Sequence, residues 1–231
     1  QADDGWWEPH TAPIDWCEQN YVVSKYVAEF HNTWTNLAYV AVGLWGLQIA
    51  WRRNNTAFLG AIAICTIMTG IMSLLFHCTL WWIFQKLDEV WENGILIYMA
   101  YWQSDGRATL LRPTLHFLVC SALILAVRNV NFCELHLVTI VVFTLAKFRR
   151  VARCNAAVGR YVLLAGIFAS LGALGWLIDR VACSKLQGLQ VAGYQVEVQL
   201  HAAWHIWTSL ALAAGIEAIS TLDCQAQREK C

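Results

Sequence analysis

The chain has 231 residues, of which 58% are hydrophobic and only 14% are charged. A soluble domain carries charge on about a quarter of its residues, so this composition argues against a soluble globular protein. Lysine plus arginine equals aspartate plus glutamate, at 16 each, which gives no support for a nucleic-acid partner recognised through positive charge.

The first 32 residues form an acidic, aromatic segment that precedes the first apolar run. Three of its carboxylates, Asp15, Glu18 and Glu29, accompany Asn20 at close spacing. Hard oxygen ligands spaced in this way can wrap a calcium ion, with backbone carbonyls completing the shell. The segment lacks the glycine of an EF-hand loop, and the alternative interpretation is a solvated acidic loop that caps a helix.

Seven apolar runs follow the acidic segment, and short polar breaks separate them. A membrane-spanning helix needs about 20 mainly apolar residues, and only helices satisfy the backbone of such runs in lipid. The predicted spans are Thr33–Trp51, Phe58–Phe76, Glu89–Trp102, Leu110–Val127, Phe132–Phe148, Tyr161–Ile178 and Val198–Ile219. We therefore expect an all-α seven-transmembrane helix bundle, a single domain over residues 1–231, with the bundle at 33–220 and a tail at 221–231.

The distribution of lysine and arginine predicts the orientation of this bundle. The side that holds the N-terminus and the second, fourth and sixth loops is the poorer in basic residues, so it should be lumenal or extracellular. The C-terminus and the glycosylation sequon Asn54-Asn55-Thr56 then lie on the cytosolic side. Cys17 and Cys183 lie on the oxidising side, where they are candidates for a disulfide, and two free thiols are the alternative.

Two histidines, His201 and His205, lie four residues apart at the start of the last span. This spacing places both on one helix face, with Cβ atoms roughly 5–6 Å apart. Ser73 and His77 repeat the spacing at the lumenal end of the second span, and Asp88 begins the third span on the same side. Three imidazoles with an open fourth position are the ligand set of a catalytic zinc, and Asp88 adds a carboxylate to the same cavity.

Each of these residues also has a simpler interpretation. A lone membrane histidine is commonly a hydrogen-bonded packing residue, Ser73 can bond to a carbonyl one turn earlier, and Asp88 can be solvated at an interface. The convergence of all five residues at one end of the bundle favours the metal site. The remaining histidines lack such neighbours in the sequence, and we interpret them as packing residues: His10, His31, His116 and His136.

The sequence resembles the alkaline ceramidase family over nearly its whole length. The resemblance rests on five motifs: Asp15-Trp-Cys-Glu-Gln-Asn-Tyr21, Ala28-Glu-Phe-His-Asn-Thr-Trp-Thr-Asn-Leu37, Ser73-x-x-x-His77, Leu87-Asp88-Glu89 and His201-Ala-x-Trp-His205. Adiponectin-receptor-like proteins and lipid remodelling hydrolases share the serine, aspartate and histidine set. The segment that begins at Asp15 narrows the resemblance to ceramidases.

The resemblance implies an intramembrane zinc amidase that hydrolyses ceramide to a sphingoid base and a free fatty acid. It implies zinc on His77, His201 and His205, with Asp88 as the general base and Ser73 as the stabiliser of the oxyanion. It further implies a calcium ion, whose ligands are Asp15, Trp16 through its carbonyl, Glu18, Asn20 and Glu29. Cys17 is expected to pair with Cys183.

The resemblance also implies partners and a location. The partners are a ceramide-type lipid substrate and the surrounding membrane lipid, with no nucleic acid, and an endoplasmic reticulum or Golgi membrane is expected. Two other functions stay open: a related zinc hydrolase that acts on another lipid, and a seven-helix receptor without turnover, in which the histidines and Asp88 form a switch.

Overall fold

The computed structural model describes residues 5–52, 56–102, 109–127, 130–153, 155–187, 189–191, 194–195 and 198–228. Residues 5–29 are irregular, and the elements that follow are helices except for one short hairpin, so the all-helical class is confirmed. The helices are α1 (Phe30–Thr35), α2 (Leu37–Arg52), α3 (Thr56–Thr79), α4 (Trp82–Tyr101), α5 (Leu111–Ala126), α6 (Val130–Ala152), α7 (Ala156–Gln187) and α8 (Leu200–Arg228). The hairpin pairs β1 (Gln190–Val191) with β2 (Tyr194–Gln195) in antiparallel register. Asn54 and Asn55 of the sequon lie outside the described residues.

Each predicted span overlaps one long helix, but several boundaries differ: α7 continues nine residues beyond Ile178, and α8 continues nine residues beyond Ile219. Two further differences have identifiable causes. The first span is interrupted at Asn36, where α1 gives way to α2. The third begins seven residues earlier than expected, because its polar first turns pair internally. Lys86 and Gln85 bond the two carboxylate oxygens of Glu89 at 2.7 and 2.8 Å, and the two donors are buried. Such i, i+3 and i, i+4 pairs let a polar stretch remain helical and enclosed.

Within the described residues, two helices are long and apolar enough to cross a membrane. They are Ala57–Thr79 and Ala156–Gln187, with mean hydropathies of 2.2 and 2.0. Several of the other helices carry more charge or are shorter than a full membrane crossing. The count of seven spans and the orientation of the termini therefore stay predictions.

Six of the helices form a ring around an internal cavity. Each packs on the next in the order α2, α3, α4, α6, α7 and α8, and α8 closes the ring by contacting α2. Helix α5 packs on α4. The main hydrophobic core lies where α2 ends and α3 begins, around Leu59, Ile62 and Ile219. The opposite end of the ring, where α3 ends and α8 begins, holds the polar residues singled out from the sequence.

Backbone hydrogen bonds hold the N-terminal segment against the end of α3. The N–H groups of Ala28 and Glu29 donate to the carbonyls of Cys78 and His77, both at 3.0 Å. These carbonyls belong to the last turn of a helix, where they have no intrahelical partner. Leu80 ends α3 with a φ of 51°, the left-handed conformation common at helix C-termini. This turn leads directly into α4.

A disulfide and several hydrogen bonds also connect the same segment to α7 and α8. Cys17 and Cys183 are disulfide-bonded, with their Cα atoms 5.2 Å apart. The buried carboxylate of Asp179 accepts the backbone N–H groups of Cys17 at 3.1 Å and of His201 at 3.3 Å. Gln187 also donates to the carbonyl of Cys17 at 3.0 Å. The segment is thus held over the end of the ring where α8 begins.

Candidate metal centre and lipid cavity

Three histidines from two helices converge at this end of the ring. His77 lies in the last turn of α3, and His201 and His205 lie in the first turns of α8. Their ring centroids are 5.0, 5.0 and 4.7 Å apart, and one ligand nitrogen from each lies within 4.8 Å of the others. All three side chains are buried. The structure therefore assembles the three imidazoles that the spacing predicted.

Hydrogen bonds assign the protonated nitrogen of two of these rings. Thr35 donates its hydroxyl to the carbonyl of His31 at 2.8 Å, so its oxygen accepts the Nδ1–H of His205 at 2.9 Å. The carboxylate of Glu29 likewise accepts the Nδ1–H of His77. In both rings the lone pair for a metal is therefore on Nε2, and each ligand is oriented by a partner on its other nitrogen.

The third ring, His201, is held differently. It stacks on the indole of Trp16, with ring centroids 3.6 Å apart and planes inclined by 14°. Its Nδ1 is buried and has no hydrogen-bond partner within the described part of the chain. A buried nitrogen without a partner is costly, which is consistent with a ring that binds an ion. The three histidines therefore fit a zinc ion in donor type, spacing and ring orientation.

Ser73 and Asp88 lie beside the histidines. Ser73 is one helical turn before His77, and its hydroxyl is close to the carboxylate of Asp88 in the second turn of α4. These two residues and the three histidines all line one cavity of about 570 Å³. The arrangement places a carboxylate and a hydroxyl next to three metal-ligating nitrogens, which is a set suited to metal-assisted hydrolysis.

The cavity extends well beyond its polar end. Along α8 it runs from His201 to Ala218, a distance of about 25 Å at 1.5 Å per residue. Helices α6 and α7 supply most of its apolar wall, including Val141, Leu145, Val162, Ala165 and Ala169. Val138 and Val142 line it and are also 59% and 62% exposed. The cavity is thus a long, mainly apolar chamber that is open at α6 and holds the three histidines, Ser73 and Asp88 at one end.

The family model for ceramidases matches residues 8–231 of this chain. The chain belongs to the ceramidase family. It is 31% identical over 226 residues to the alkaline ceramidase 3 of Mus musculus, an alignment that covers 89% of this chain and 82% of the relative. It is 28% identical over 211 residues to an alkaline ceramidase of Arabidopsis thaliana, covering 88% and 80%, and 25% identical over 231 residues to the alkaline ceramidase 1 of Homo sapiens, covering 92% and 83%. The chain is therefore an enzyme, a hydrolase of the ceramidase family.

Glu18, one of the predicted calcium ligands, caps the short helix α1 in this hydrolase. Its two carboxylate oxygens accept the backbone N–H groups of His31 at 2.6 Å and of Asn32 at 2.8 Å. Burial raises the pKa of Glu18, and these two hydrogen bonds oppose that shift. Each oxygen keeps a second lone pair, so capping does not exclude metal binding.

Glu29 connects the N-terminal segment with the histidine centre. It is fully buried; one oxygen accepts the backbone N–H of Trp16 at 3.0 Å, and the other bonds Asn32 at 3.0 Å as well as His77. Burial, together with the nearby carboxylate of Asp15, raises the pKa of Glu29 to about 8, against the hydrogen bonds from Asn32 and Trp16 that lower it. A neighbouring cation would favour the ionised form of this carboxylate.

The predicted calcium ligands are neighbours without forming a compact ligand set. Asn20 donates to both oxygens of Asp15 at 3.2 and 3.3 Å, and its own Oδ1 is buried without a partner in the described residues. The carboxylates of Asp15, Glu18 and Glu29 are not among the described groups whose ligand atoms lie within 4.8 Å of one another. The orphaned oxygen and the closely placed negative charges fit a cation, and calcium stays a prediction.

Two of the histidines interpreted as packing residues are not isolated. His116 and His136 meet Cys120 between α5 and α6, with their ligand atoms within 4.8 Å of one another. Their positions on separate helices, 20 residues apart in the chain, hid this contact from the spacing rules. His10, by contrast, bonds the hydroxyl of Tyr21 at 3.0 Å, as a packing residue would.

Sequence reasoning also missed residues that position the predicted ligands. Thr35 contacts His205 across 170 residues of chain, and Asp179 bonds the backbone of both Cys17 and His201. Thr35 lies in the motif from Ala28 to Leu37, on which the family resemblance partly rests. That motif was the sequence feature that could have pointed to a role for Thr35. No spacing rule assigns a role to a lone threonine or aspartate, because the partner is supplied by tertiary packing.

Proposed function

We propose that this enzyme is a zinc-dependent intramembrane amidase that hydrolyses ceramide to a sphingoid base and a free fatty acid. The observation that carries the proposal is one chamber with two chemically different ends. Three histidines, Ser73 and Asp88 line its polar end, and a mainly apolar wall, interrupted by Glu92, Glu134 and Arg180, lines the remainder. Membership of the ceramidase family and the names of the relatives support the choice of substrate.

The shape of the chamber suits a lipid with one reactive polar group. Its apolar length along α8, from the histidines to Ala218, would enclose a hydrocarbon chain and remove that chain from water. The amide of ceramide would then lie at the end that carries Ser73 and Asp88. Because the cavity wall at Val138 and Val142 is exposed, a lipid would enter from the side of the bundle.

His77, His201 and His205 would hold the zinc ion, the first and last through Nε2. When bound, zinc supplies Lewis-acid chemistry: it lowers the pKa of a coordinated water and polarises a carbonyl oxygen. Glu29 and Thr35 keep the rings of His77 and His205 in the required orientation through their Nδ1–H groups.

Asp88 is proposed to move the proton during hydrolysis. Its carboxylate takes a proton from the attacking water as that water bonds to the amide carbon, and it later delivers the proton to the leaving nitrogen. The carbon–nitrogen bond breaks, and the nitrogen leaves as the amine of the sphingoid base. The water oxygen, with its remaining proton, stays on the fatty acid as part of its carboxyl group.

Ser73 is proposed to act in step with Asp88. While Asp88 is ionised, the Ser73 hydroxyl donates to it. Once Asp88 is protonated, its own O–H can donate to the Ser73 oxygen, which frees the Ser73 hydrogen for the amide oxygen. Negative charge develops on that oxygen during attack, so the released donor is available when it is most stabilising.

The outer surface of the bundle supports a membrane location. Large apolar side chains on α5, α6 and α7 are exposed outside the cavity lining, among them Leu118, Val119, Leu135, Leu163 and Leu174. A soluble monomer rarely exposes contiguous apolar surface of this extent. We infer seven membrane-spanning helices with the histidine centre and the N-terminus on the lumenal or extracellular side.

The N-terminal segment is proposed to hold calcium beside the zinc centre. Its ligands would be Asp15, the carbonyl of Trp16, Glu18, Asn20 and Glu29. The ion would neutralise the clustered carboxylates and brace the segment over the chamber. Asn20, whose Oδ1 is buried without a partner in the described chain, would supply a neutral oxygen ligand.

The proposal is tested by offering the purified protein ceramides, phosphoglycerides and fatty acyl esters, and measuring every product by mass spectrometry. We expect a sphingoid base and a fatty acid in equal amounts from ceramide, and no comparable release from the other lipids. In Asp88→Asn the rate should fall by about 10²- to 10⁴-fold, the usual contribution of a general base, with zinc content unchanged. Hydrolysis of a phosphoglyceride in preference to ceramide would show that the enzyme is a different lipid hydrolase of the same architecture.

A further inference from the structure

A second group of metal-ligating side chains lies between α5 and α6. His116 and Cys120 are one turn apart on α5, and His136 faces them from α6. The Nε2 of His136 is 3.4 Å from the Nε2 of His116 and 3.3 Å from the Sγ of Cys120. None of the three lines the catalytic cavity.

These separations match the edges of a metal coordination polyhedron. Bond lengths of about 2.0–2.1 Å to nitrogen and 2.3 Å to sulfur, at tetrahedral angles, place two nitrogens about 3.4 Å apart and a nitrogen and a sulfur about 3.5–3.6 Å apart. The distance between the two nitrogens matches this geometry, the distance from nitrogen to sulfur is slightly shorter, and the third pair lies within 4.8 Å. The donor atoms therefore lie close to the positions that a shared ion requires.

Asn93 on α4 fixes the tautomer of His136. Its Nδ2 donates to the carbonyl of Glu89 at 2.8 Å, so its other side-chain atom is the amide oxygen. That oxygen lies 2.6 Å from the Nδ1 of His136, which must therefore carry the hydrogen. The Nε2 of His136 is left with a lone pair that faces Cys120 and His116. A metal-bound histidine is typically oriented in this way, by a second hydrogen bond from its other nitrogen.

Hydrogen bonds do not satisfy every nitrogen and sulfur atom of this cluster. The single lone pair on the Nε2 of His136 is approached by two groups, and it can accept one good hydrogen bond. The Nδ1 of His116 is buried without a partner among the described residues. Asn93 lies near the middle of α4, so the cluster is distant from the helix ends, with Cys120 buried and both histidines half-buried. At this level of a membrane-spanning bundle, ionisable residues are expensive and mark functional positions.

We propose that His116, Cys120 and His136 form a second metal site that binds a d¹⁰ ion, zinc(II) or copper(I). Imidazole and thiolate are the ligands these two ions share. Binding releases the proton of Cys120, whose thiolate bonds the metal, while both histidines bind as neutral imidazoles. The inference is independent of the catalytic proposal, because the two sites share no ligand.

Metal analysis of the purified wild-type protein and its variants tests the site. We expect two metal ions per chain in the wild type, one at the centre formed by His77, His201 and His205 and one at this cluster. Cys120→Ser should lose the ion of the cluster. His205→Ala should lose the other ion and keep this one. Cys65→Ser, which changes a buried free thiol on α3, is the matched control and should keep both. Separate measurement of zinc and copper identifies the ion.

Cobalt(II) distinguishes the two sites without counting ions. The cluster contains a thiol and the proposed catalytic centre does not, so only the cluster can give a thiolate-to-cobalt charge-transfer absorption. We expect this absorption in the cobalt-substituted wild-type protein and in His205→Ala, and its loss in Cys120→Ser. Asn93→Leu removes the hydrogen bond that orients His136 and should weaken metal binding about 10- to 100-fold.

A measurement on unmodified protein covers the case in which a variant fails to fold. Bound metal should protect Cys120 from alkylation by a maleimide until a chelator is added. Cys133, which accepts a hydrogen bond from Asn93 outside the ligand group, is the internal reference. The proposal is overturned if the charge-transfer absorption is absent or survives Cys120→Ser, if Cys120→Ser keeps the wild-type metal content, or if chelation leaves the alkylation of Cys120 unchanged.

Discussion

At the scale of single residues, the candidate metal centre depends on the partners of the histidines as much as on the histidines. Thr35 and Glu29 come from the N-terminal part of the chain, and each accepts an Nδ1–H from a histidine on a later helix. Each contact leaves Nε2 as the metal-binding nitrogen. Because both partners are buried, the orientation of the rings is set before any ion binds.

The Thr35→Val variant tests this positioning role. Valine has nearly the same shape but cannot accept the hydrogen bond from His205, so zinc affinity should fall about 10- to 100-fold. Thr35→Ser keeps the hydroxyl and should restore most of the affinity. The measurement is a competition titration with a zinc chelator on purified protein, followed by activity at saturating zinc.

A merely structural role for Thr35 would give a different pattern. The valine variant would then show a lower thermal stability with unchanged zinc affinity, and added zinc would not recover its activity. Equal zinc affinity in the wild-type and valine proteins would contradict the positioning role.

At the scale of secondary-structure elements, the site depends on the connection between α3 and α4. His77 lies in the last turn of α3, the left-handed Leu80 reverses the chain, and Asp88 follows in the second turn of α4. The short connection makes the helices antiparallel neighbours, so Ser73, six residues before the end of α3, lies beside Asp88, six residues after the start of α4. Backbone N–H groups of the N-terminal segment donate to the carbonyls of His77 and Cys78, which have no partner within α3.

Much of this arrangement followed from the sequence, and the exceptions have physical causes. The i, i+4 pairs predicted which residues share a helix face, since that depends only on local geometry. The start of α4 was missed because Gln85 and Lys86 appear too polar for a buried helix until their pairing with Glu89 is known. The contact of His116 with His136 was missed because it arises from the packing of separate helices.

The N-terminal segment carries its own prediction, concerning calcium. Asp15→Asn keeps the size of the side chain but removes its charge, and it should lower calcium affinity roughly tenfold. Glu8→Gln alters an acidic residue of the same segment outside the proposed ligands, and it should bind calcium as the wild type does. Calorimetry on the purified protein gives the affinities.

Hydrolysis and thermal stability, measured with and without calcium, test whether the ion contributes to the enzyme. We expect removal of calcium to lower both hydrolysis and thermal stability, because the segment that orients His77 through Glu29 would lose its brace. Unchanged hydrolysis and unchanged thermal stability in the calcium-free protein would contradict the proposed role of calcium.

At the scale of the whole molecule, a ring of six helices makes a chamber with one reactive end. The hydrophobic core closes the opposite end, and the disulfide between Cys17 and Cys183 ties the N-terminal segment over the reactive one. The basic residues predict that the reactive end is lumenal or extracellular, where such a disulfide would form.

Glycosylation in microsomes of the endoplasmic reticulum tests this orientation. Val22 is 60% exposed and precedes Val23-Ser24, so Val22→Asn creates a sequon in the N-terminal segment. We expect the variant to gain one sugar chain that an endoglycosidase removes, while Asn54 of the wild type carries none. Sugar on Asn54 would reverse the orientation.

The central claim is that the three histidines form the catalytic zinc centre of a ceramide amidase. Release of sphingoid base from ceramide, measured for the wild type, His205→Ala and the control His10→Ala, tests it most directly. We expect the control to retain activity and His205→Ala to lose about a thousandfold, as the loss of several kcal/mol of metal stabilisation predicts. A His205→Ala protein that hydrolyses ceramide at the wild-type rate would contradict the account.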